Sequence, residues 1–487
     1  MRRTRTRRLD GLAAALLAAA ILVLWPPAPA TAQSARPAPP LPPPDGPVVR
    51  VGSEPELQAA VRSLRSGVTI VVAPGVYRLT RSLYLGGPLH NVAIRGATTD
   101  ADDVVLLGRG MAQPAYGQVP HGIWTGDGVD GITVANLTLK DFYFHPIIFN
   151  GGTDRPHVYN VRLIDAGQQF IKSNPDAVGV GASRGVVEYS VFEYTTTARD
   201  DYPKGIDVHG GAGWVIRHNL FRNLMAPPGQ LMGPAVLVWR GSRDTLTEGN
   251  TFINCARGII YGAEEAAGTS HARGIIRNNL FYRGRSSAGD VGIHVADSPG
   301  THVLHNTVFV SGTYPTPIEY RFVGATGLLL ANNLLDGRVG RRDDASGAEV
   351  NNVTADASMF VNVSAGDLRL AATAAAAIDR GRFVGVRDDW EGDVRPVGGG
   401  YDVGADERVH GTGDGRTGRS QKVFIKSGAS RPRLRGDQPA GLRDGPGTLR
   451  SRPEARCRDG GAAWSCLASV LQRFPTDRPS MRRAPSP

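Results

Sequence analysis

The chain has 487 residues, 62 of them Gly and three of them Cys, with 55 Lys+Arg against 45 Asp+Glu for a formal net charge of +10. So few cysteines exclude a disulfide-stapled scaffold and a multi-cysteine zinc module. The charge is local: residues 408–487 hold 17 Lys+Arg against 6 Asp+Glu, and the body 33–407 is net −5, which excludes nucleic acid as a partner of the folded part.

Arg2, Arg3, Arg5, Arg7 and Arg8 form a basic leader, Leu12 to Trp25 is an apolar run, and Ala30-Thr31-Ala32 is a small-residue cleavage site. This pattern predicts a secretory signal over 1–32 and a secreted or periplasmic protein. The run is too short for a transmembrane anchor, and Pro26-Pro27 ends it. Residues 33–47 are Pro-rich and read as an extended linker. Ser53-Glu54-Pro55-Glu56 is a capping box, and Leu57, Ala60, Val61 and Leu64 follow at helical spacing, which predicts one short amphipathic helix.

The chain then repeats itself. Anchor residues stand at 136, 160, 190, 219, 250, 279, 306 and 333, in steps of 24 to 31, and all are Asn except Ser190. A period of this size, with β-branched and aromatic neighbours and no helical pattern, predicts a solenoid of strands. The anchors are structural in this reading, because side-chain amides can hydrogen-bond from coil to coil. A second strand recurs in each coil, at Ile147-Ile148-Phe149, Phe170-Ile171-Lys172-Ser173, Ile206-Asp207-Val208-His209, Val236-Leu237-Val238-Trp239, Ile259-Ile260-Tyr261 and Ile293-His294-Val295. Asp393-Val394-Arg395-Pro396 through Glu407 reads as a closing segment, and 408–487, with Cys457 and Cys466, as a basic, Arg/Gly/Pro-rich disordered tail. The stretch 48–407 resembles the pectate-lyase-like superfamily. That resemblance implies an all-β fold: a right-handed parallel β-helix solenoid with an N-terminal capping helix, expected to be a monomer.

Side chains alternate along a strand, so Ile206 and Val208 should face inward while Asp207 and His209 face solvent. His209 and Arg240 each lie ten residues before an anchor, Asn219 and Asn250, which predicts equivalent places on neighbouring coils. Lys172 and Asn174 lie one coil back, and Arg199, Asp200, Asp201, Tyr202 and Lys204 belong to the preceding loop. His294 stands alone two to three coils away and reads as an ordinary outward residue.

Gly205-Ile206-Asp207-Val208-His209-Gly210 and Val236-Leu237-Val238-Trp239-Arg240-Gly241 resemble two strands of the alginate lyase and chondroitinase B family. His209 falls on that family's lysine position and Arg240 on its arginine position. The resemblance implies β-elimination of a uronate-containing glycan, with an acidic polysaccharide as partner. It places His209 and Arg240 in the catalytic set. The charged surroundings add Lys204 and Asp207 to that set and Lys172, Asn174, Arg199, Tyr202 and Trp239 as substrate-binding residues, with Lys204 or Lys172 able to take either the base or the neutralising role. Tyr202-Pro203-Lys204 replaces the family's acidic calcium ligands, so Ca2+ is left open as a cofactor. Two other readings stand beside this one. The first is a non-catalytic, polysaccharide-binding or structural surface β-helix. The second is a glycoside hydrolase using Asp200 and Asp201 as an acid pair.

Overall fold

Each coil contributes three short strands, as in Ile206–His209, Val215–Arg217 and Leu220–Arg222. Every one pairs in parallel with its counterpart on the next coil: these three meet Val236–Trp239, Leu246–Glu248 and Thr251–Ile253. The computed structural model describes residues 35–409 except 127, 264–269 and 286. In it the repetition builds a ten-stranded parallel sheet and a 21-stranded sheet that carries the other two ladders. The architecture is a right-handed parallel β-helix.

Like residues stack because like positions repeat. Phe192, Phe221, Phe252 and Phe281 lie ring upon ring inside the coils, with centroids 4.5, 4.8 and 4.3 Å apart. Asn219, Asn250, Asn279, Asn306 and Asn333 form a buried column in which each Nδ2 donates to the Oδ1 of the next, ending on Asn352. Each accepting Oδ1 also takes a backbone N–H from the coil before it.

The first two anchors differ from the expectation. Tyr159 pairs with Glu188 and Arg162 with Val191, so Asn160 is level with Tyr189 and not with Ser190. Asn136 and Asn160 occupy a left-handed position (φ 55° and 49°), shared by Tyr189, His218 and Asn278. Asn tolerates that conformation better than most residues, so the same residue type fills two adjacent columns.

The helix Glu54–Arg62 lies against the first strands, with Leu57 and Val61 buried. Ser53 Oγ accepts from the Glu56 amide, as in the expected capping box, while Glu56 Oε2 reaches past the N-cap and accepts from the Gly52 amide at 2.7 Å. At the other end a hairpin of Phe360–Asn362 and Asp367–Leu370 leads into an irregular segment. There Arg395 and Glu407 pair at 2.9 Å with both side chains fully buried, and Arg395 also donates to the carbonyls of Asp388, Asp402 and Gly404. The Pro-rich stretch from Ala35 lies against the coils: Tyr159 donates to the Pro39 carbonyl, Arg95 to that of Pro42, and Arg36 meets His218. The expected leader over 1–32 and the tail from 410 onward, with Cys457 and Cys466, lie outside the described residues. Among the described residues no helix is long and apolar enough to cross a membrane.

Candidate functional site

The outer face of the ten-stranded sheet carries one continuous row of facing residues. It runs Trp124, Ile148, Lys172, Asp207, Leu237, Ile260, His294, Glu319, each in register with the next. Two polar islands therefore sit on an otherwise apolar row.

The first island is built on Lys172 and Asp207. Lys172 Nζ donates to Asp207 Oδ2 at 2.8 Å and lies 2.6 Å from His209 Nε2. His209 Nε2 is also 3.1 Å from Asp207 Oδ1, which accepts a further hydrogen bond from Trp239 Nε1 at 3.0 Å. Burial pushes the Asp207 carboxyl up, but the His209 hydrogen bond and the Lys172 charge outweigh it and hold the group well below the carboxylate range. Burial also lowers the Lys172 ammonium against the pull of Asp207. His209 is lowered by burial first, with Lys172 and Arg240 adding to it and Asp207 opposing. Among the described residues His209 Nδ1 makes no hydrogen bond, so it is the ring nitrogen free to meet a ligand.

Three sequence expectations need correction here. Asp207 points outward but is only 2 % exposed, because Lys172, His209 and Trp239 close over it. Lys172, expected one coil back as a substrate-binding residue or alternative base, is the centre of the cluster. His209 pairs with Trp239, not with Arg240. Ala212 bridges Arg243 on the next coil, so three steps lead from His209 to that bridge and four from Trp239. Arg240 is the extra residue, in the left-handed conformation (φ 56°). Counting back from the anchors passes through this insertion unseen. Arg240 instead stacks on Trp239, with Cζ 4.5 Å from the ring centroid, exposed at the edge of the cluster.

The remaining candidates divide. Lys204 and Tyr202 stay together, with Lys204 Nζ 4.4 Å above the Tyr202 ring and donating to its carbonyl. Asn174 spends its amide on Asn150 at 3.2 Å. Arg199 packs over Tyr143 and pairs with Asp200, whose other oxygen accepts the Tyr202 amide. Asp200 is thus occupied, while Asp201 lines a groove, so the two do not present a facing acid pair.

That groove, of about 500 Å³, starts one step along the row from Asp207. Lys172, Asp207 and His209 do not line it. Its floor is Leu237 and Ile260, and its far wall holds His294, Glu319, Arg321 and Arg342. His294 is therefore not isolated: it faces Glu319 across the sheet, and Glu319 accepts from Arg342 at 3.1 Å. The sequence signal for this island was present in Ile293-His294-Val295 and Ile318-Glu319-Tyr320, two outward polar residues at one strand position. The long connection between these strands separates them in the chain.

Calcium does not fit the first island. Both Asp207 oxygens are taken by donors, and the surrounding groups are cations. A trio able to gather a metal, Asp389, Glu391 and Asp393, lies in the closing segment, but Asp389 already braces the Gly392, Asp393 and Glu407 amides.

No protein-family model matches the sequence, and no curated protein is significantly similar to it. Solved structures do resemble it. An alginate lyase from Paenibacillus sp. str. FPU-7 is 12% identical and covers 61% of this chain and 99% of its own, with a TM-score of 0.37. The pectate lyase Pel9A is 14% identical over 72% of this chain and 90% of its own, with a TM-score of 0.41. PfbA, a surface adhesin of Streptococcus pneumoniae, is 15% identical over 61% and 84%, with a TM-score of 0.40. Because one fold serves unrelated activities, the function has to be read from the side chains of this chain.

Proposed function

We propose that this is an exported carbohydrate-active enzyme that cleaves an acidic polysaccharide by β-elimination at a uronate, with Lys172, Asp207 and His209 as its proton-accepting centre. The observation that carries this reading is the 2.6 Å contact between Lys172 Nζ and His209 Nε2 over a buried carboxylate. The two nitrogens compete for protons, and Asp207 stays ionised beneath them.

With Lys172 charged and donating to Nε2, the neutral imidazole carries its own proton on Nδ1. When the cluster loses one proton, Nε2–H turns to Asp207 and the Lys172 lone pair, and Nδ1 becomes a base facing outward. It then takes the C5 proton of the uronate. The C5–H electrons form the C4–C5 double bond, the C4–O bond breaks with its electrons on the glycosidic oxygen, and water protonates that oxygen. As Nδ1 gains its proton, the Nε2 proton returns to Lys172. Arg240 and Lys204 flank this centre and supply positive charge to the uronate carboxylate as carbanion character develops.

Incubation with alginate, pectate and glycosaminoglycans should produce the absorbance of an unsaturated uronate on at least one of them. His209→Ala and Lys172→Arg should each lower kcat by about 100-fold or more while the protein stays folded. Arg keeps the charge of Lys172 but cannot give up its proton. Binding to a uronan without new absorbance would identify a sugar-binding β-helix instead, and new reducing ends without absorbance would identify a hydrolase.

A further inference from the structure

The second polar island gathers four cations beside three carboxylates, and its spacing from the first suits one extended chain. Three steps along the row, Asp207 to Leu237 to Ile260 to His294, span ~14 Å at the usual strand separation. Leu237 and Ile260 between them offer an apolar floor to the flat face of a sugar ring. The groove gathers four cations, Lys204 on the Asp207 coil, Arg257 on the Ile260 coil, and Arg321 and Arg342 beyond the floor, beside the carboxylates of Asp201, Asp290 and Glu319.

Three of these cations are already positioned. Arg257 is held by Asp290 at 3.1 Å, Arg321 by Asp343 at 2.6 Å and Arg342 by Glu319 at 3.1 Å, each with N–H donors to spare. Lys204 has no carboxylate within salt-bridge distance among the described residues. His294 stands on the outward side of its strand, half-buried, with its Nε2 atom buried and making no hydrogen bond. A buried nitrogen without a partner costs free energy that a ligand can recover.

We propose that the groove at His294 is a second carboxylate-binding subsite, which holds another uronate of the same chain whose elimination occurs at Lys172, Asp207 and His209. This rests on the lyase reading for the identity of the substrate, but the subsite stands on its own groove and cations. The enzyme would accordingly favour extended polyuronates over short or sparsely charged glycans.

The test is binding of galacturonate and mannuronate hexamers to the Lys172→Arg protein, with carboxyl-reduced hexamers as the neutral control. Adding Arg342→Gln or Arg321→Gln should weaken the binding of at least one charged hexamer by about tenfold and leave the neutral ones unaffected. Arg321 pairs with the exposed Asp343, so Arg321→Gln reads the subsite even if Arg342→Gln, which frees buried Glu319, fails to fold. Unchanged affinity in the folded variants, or no binding of either charged hexamer, overturns the subsite. Unsaturated product from the wild-type protein together with unchanged hexamer affinity would sink the subsite alone. No product from any uronan, with hexamer binding still weakened by the variants, would sink the lyase reading alone.

Discussion

Lys172 is where chemistry and stability meet in one side chain. It is 9% exposed and compensates the buried Asp207 carboxylate, so removing it alone leaves a charge without a partner. Lys172→Met should cost about 3 kcal/mol in denaturant unfolding, and Lys172→Met with Asp207→Leu should recover most of that. A double variant no more stable than the single one would show that the pair is not what holds this patch. The same coupling sets the pH profile. The active form has lost one proton from the Lys172–His209 pair, and burial lowers both groups. The elimination rate should therefore rise with pH along a limb that lies below the ordinary lysine value of about 10.5. A rate independent of pH below that value would contradict the proton-accepting role.

At the scale of the element, the Asn column does for the inner turns what the sheets do for the strands. Asn279 gives Nδ2 to Asn306 and to the carbonyls of Thr247 and Arg277, and its Oδ1 receives the Asn250 amide and side chain. Asn279→Ala leaves buried donors on Asn250 without an acceptor, and should destabilise the protein by about 2–4 kcal/mol in equilibrium unfolding. A loss below about 1 kcal/mol would mean that water replaces the amide. The strand pattern and the Asn repeat were legible because a solenoid writes its period into the chain. The register between His209 and Trp239 was not, because one left-handed residue, Arg240, is added in a turn, and the 31-residue step from Asn219 to Asn250 does not say where in the coil the extra residue sits. A single-residue insertion in a turn alters no hydrophobic period.

Across the whole molecule, burial holds five histidines neutral: His121, His218 and His294 are lowered to about 4, and His271 and His305 to about 3. For each, the folded value lies below the unfolded one. Between pH 6.5 and those values the unfolded chain takes up protons that the native state refuses, so stability is present above pH 6.5 and is lost as pH falls. Asp406, raised to about 7, acts in the opposite sense, favouring the native state at low pH and losing that contribution as pH rises to 7. His145 and His209 are lowered in the same sense, while Asp141, Asp336, Asp389, Glu391, Asp402 and Glu407 are raised and act with Asp406. The histidine shifts dominate between pH 4 and 7, so the melting temperature should be lower at pH 4 than at pH 7. Equal melting temperatures would mean that these rings are solvated in the native state.

The amino-acid sequence by itself determined the stacked-coil architecture, its capping helix and the face on which polar side chains gather, since all three follow from periods of residue type along the chain. Tertiary structure alone decided which polar groups touch. Lys172, Asp207 and His209 come from two different coils, and His294 and Glu319 from two more. Contact between them depends on hydrogen-bonded register across the sheet and on burial by neighbours such as Trp239, and neither is a property of the local sequence.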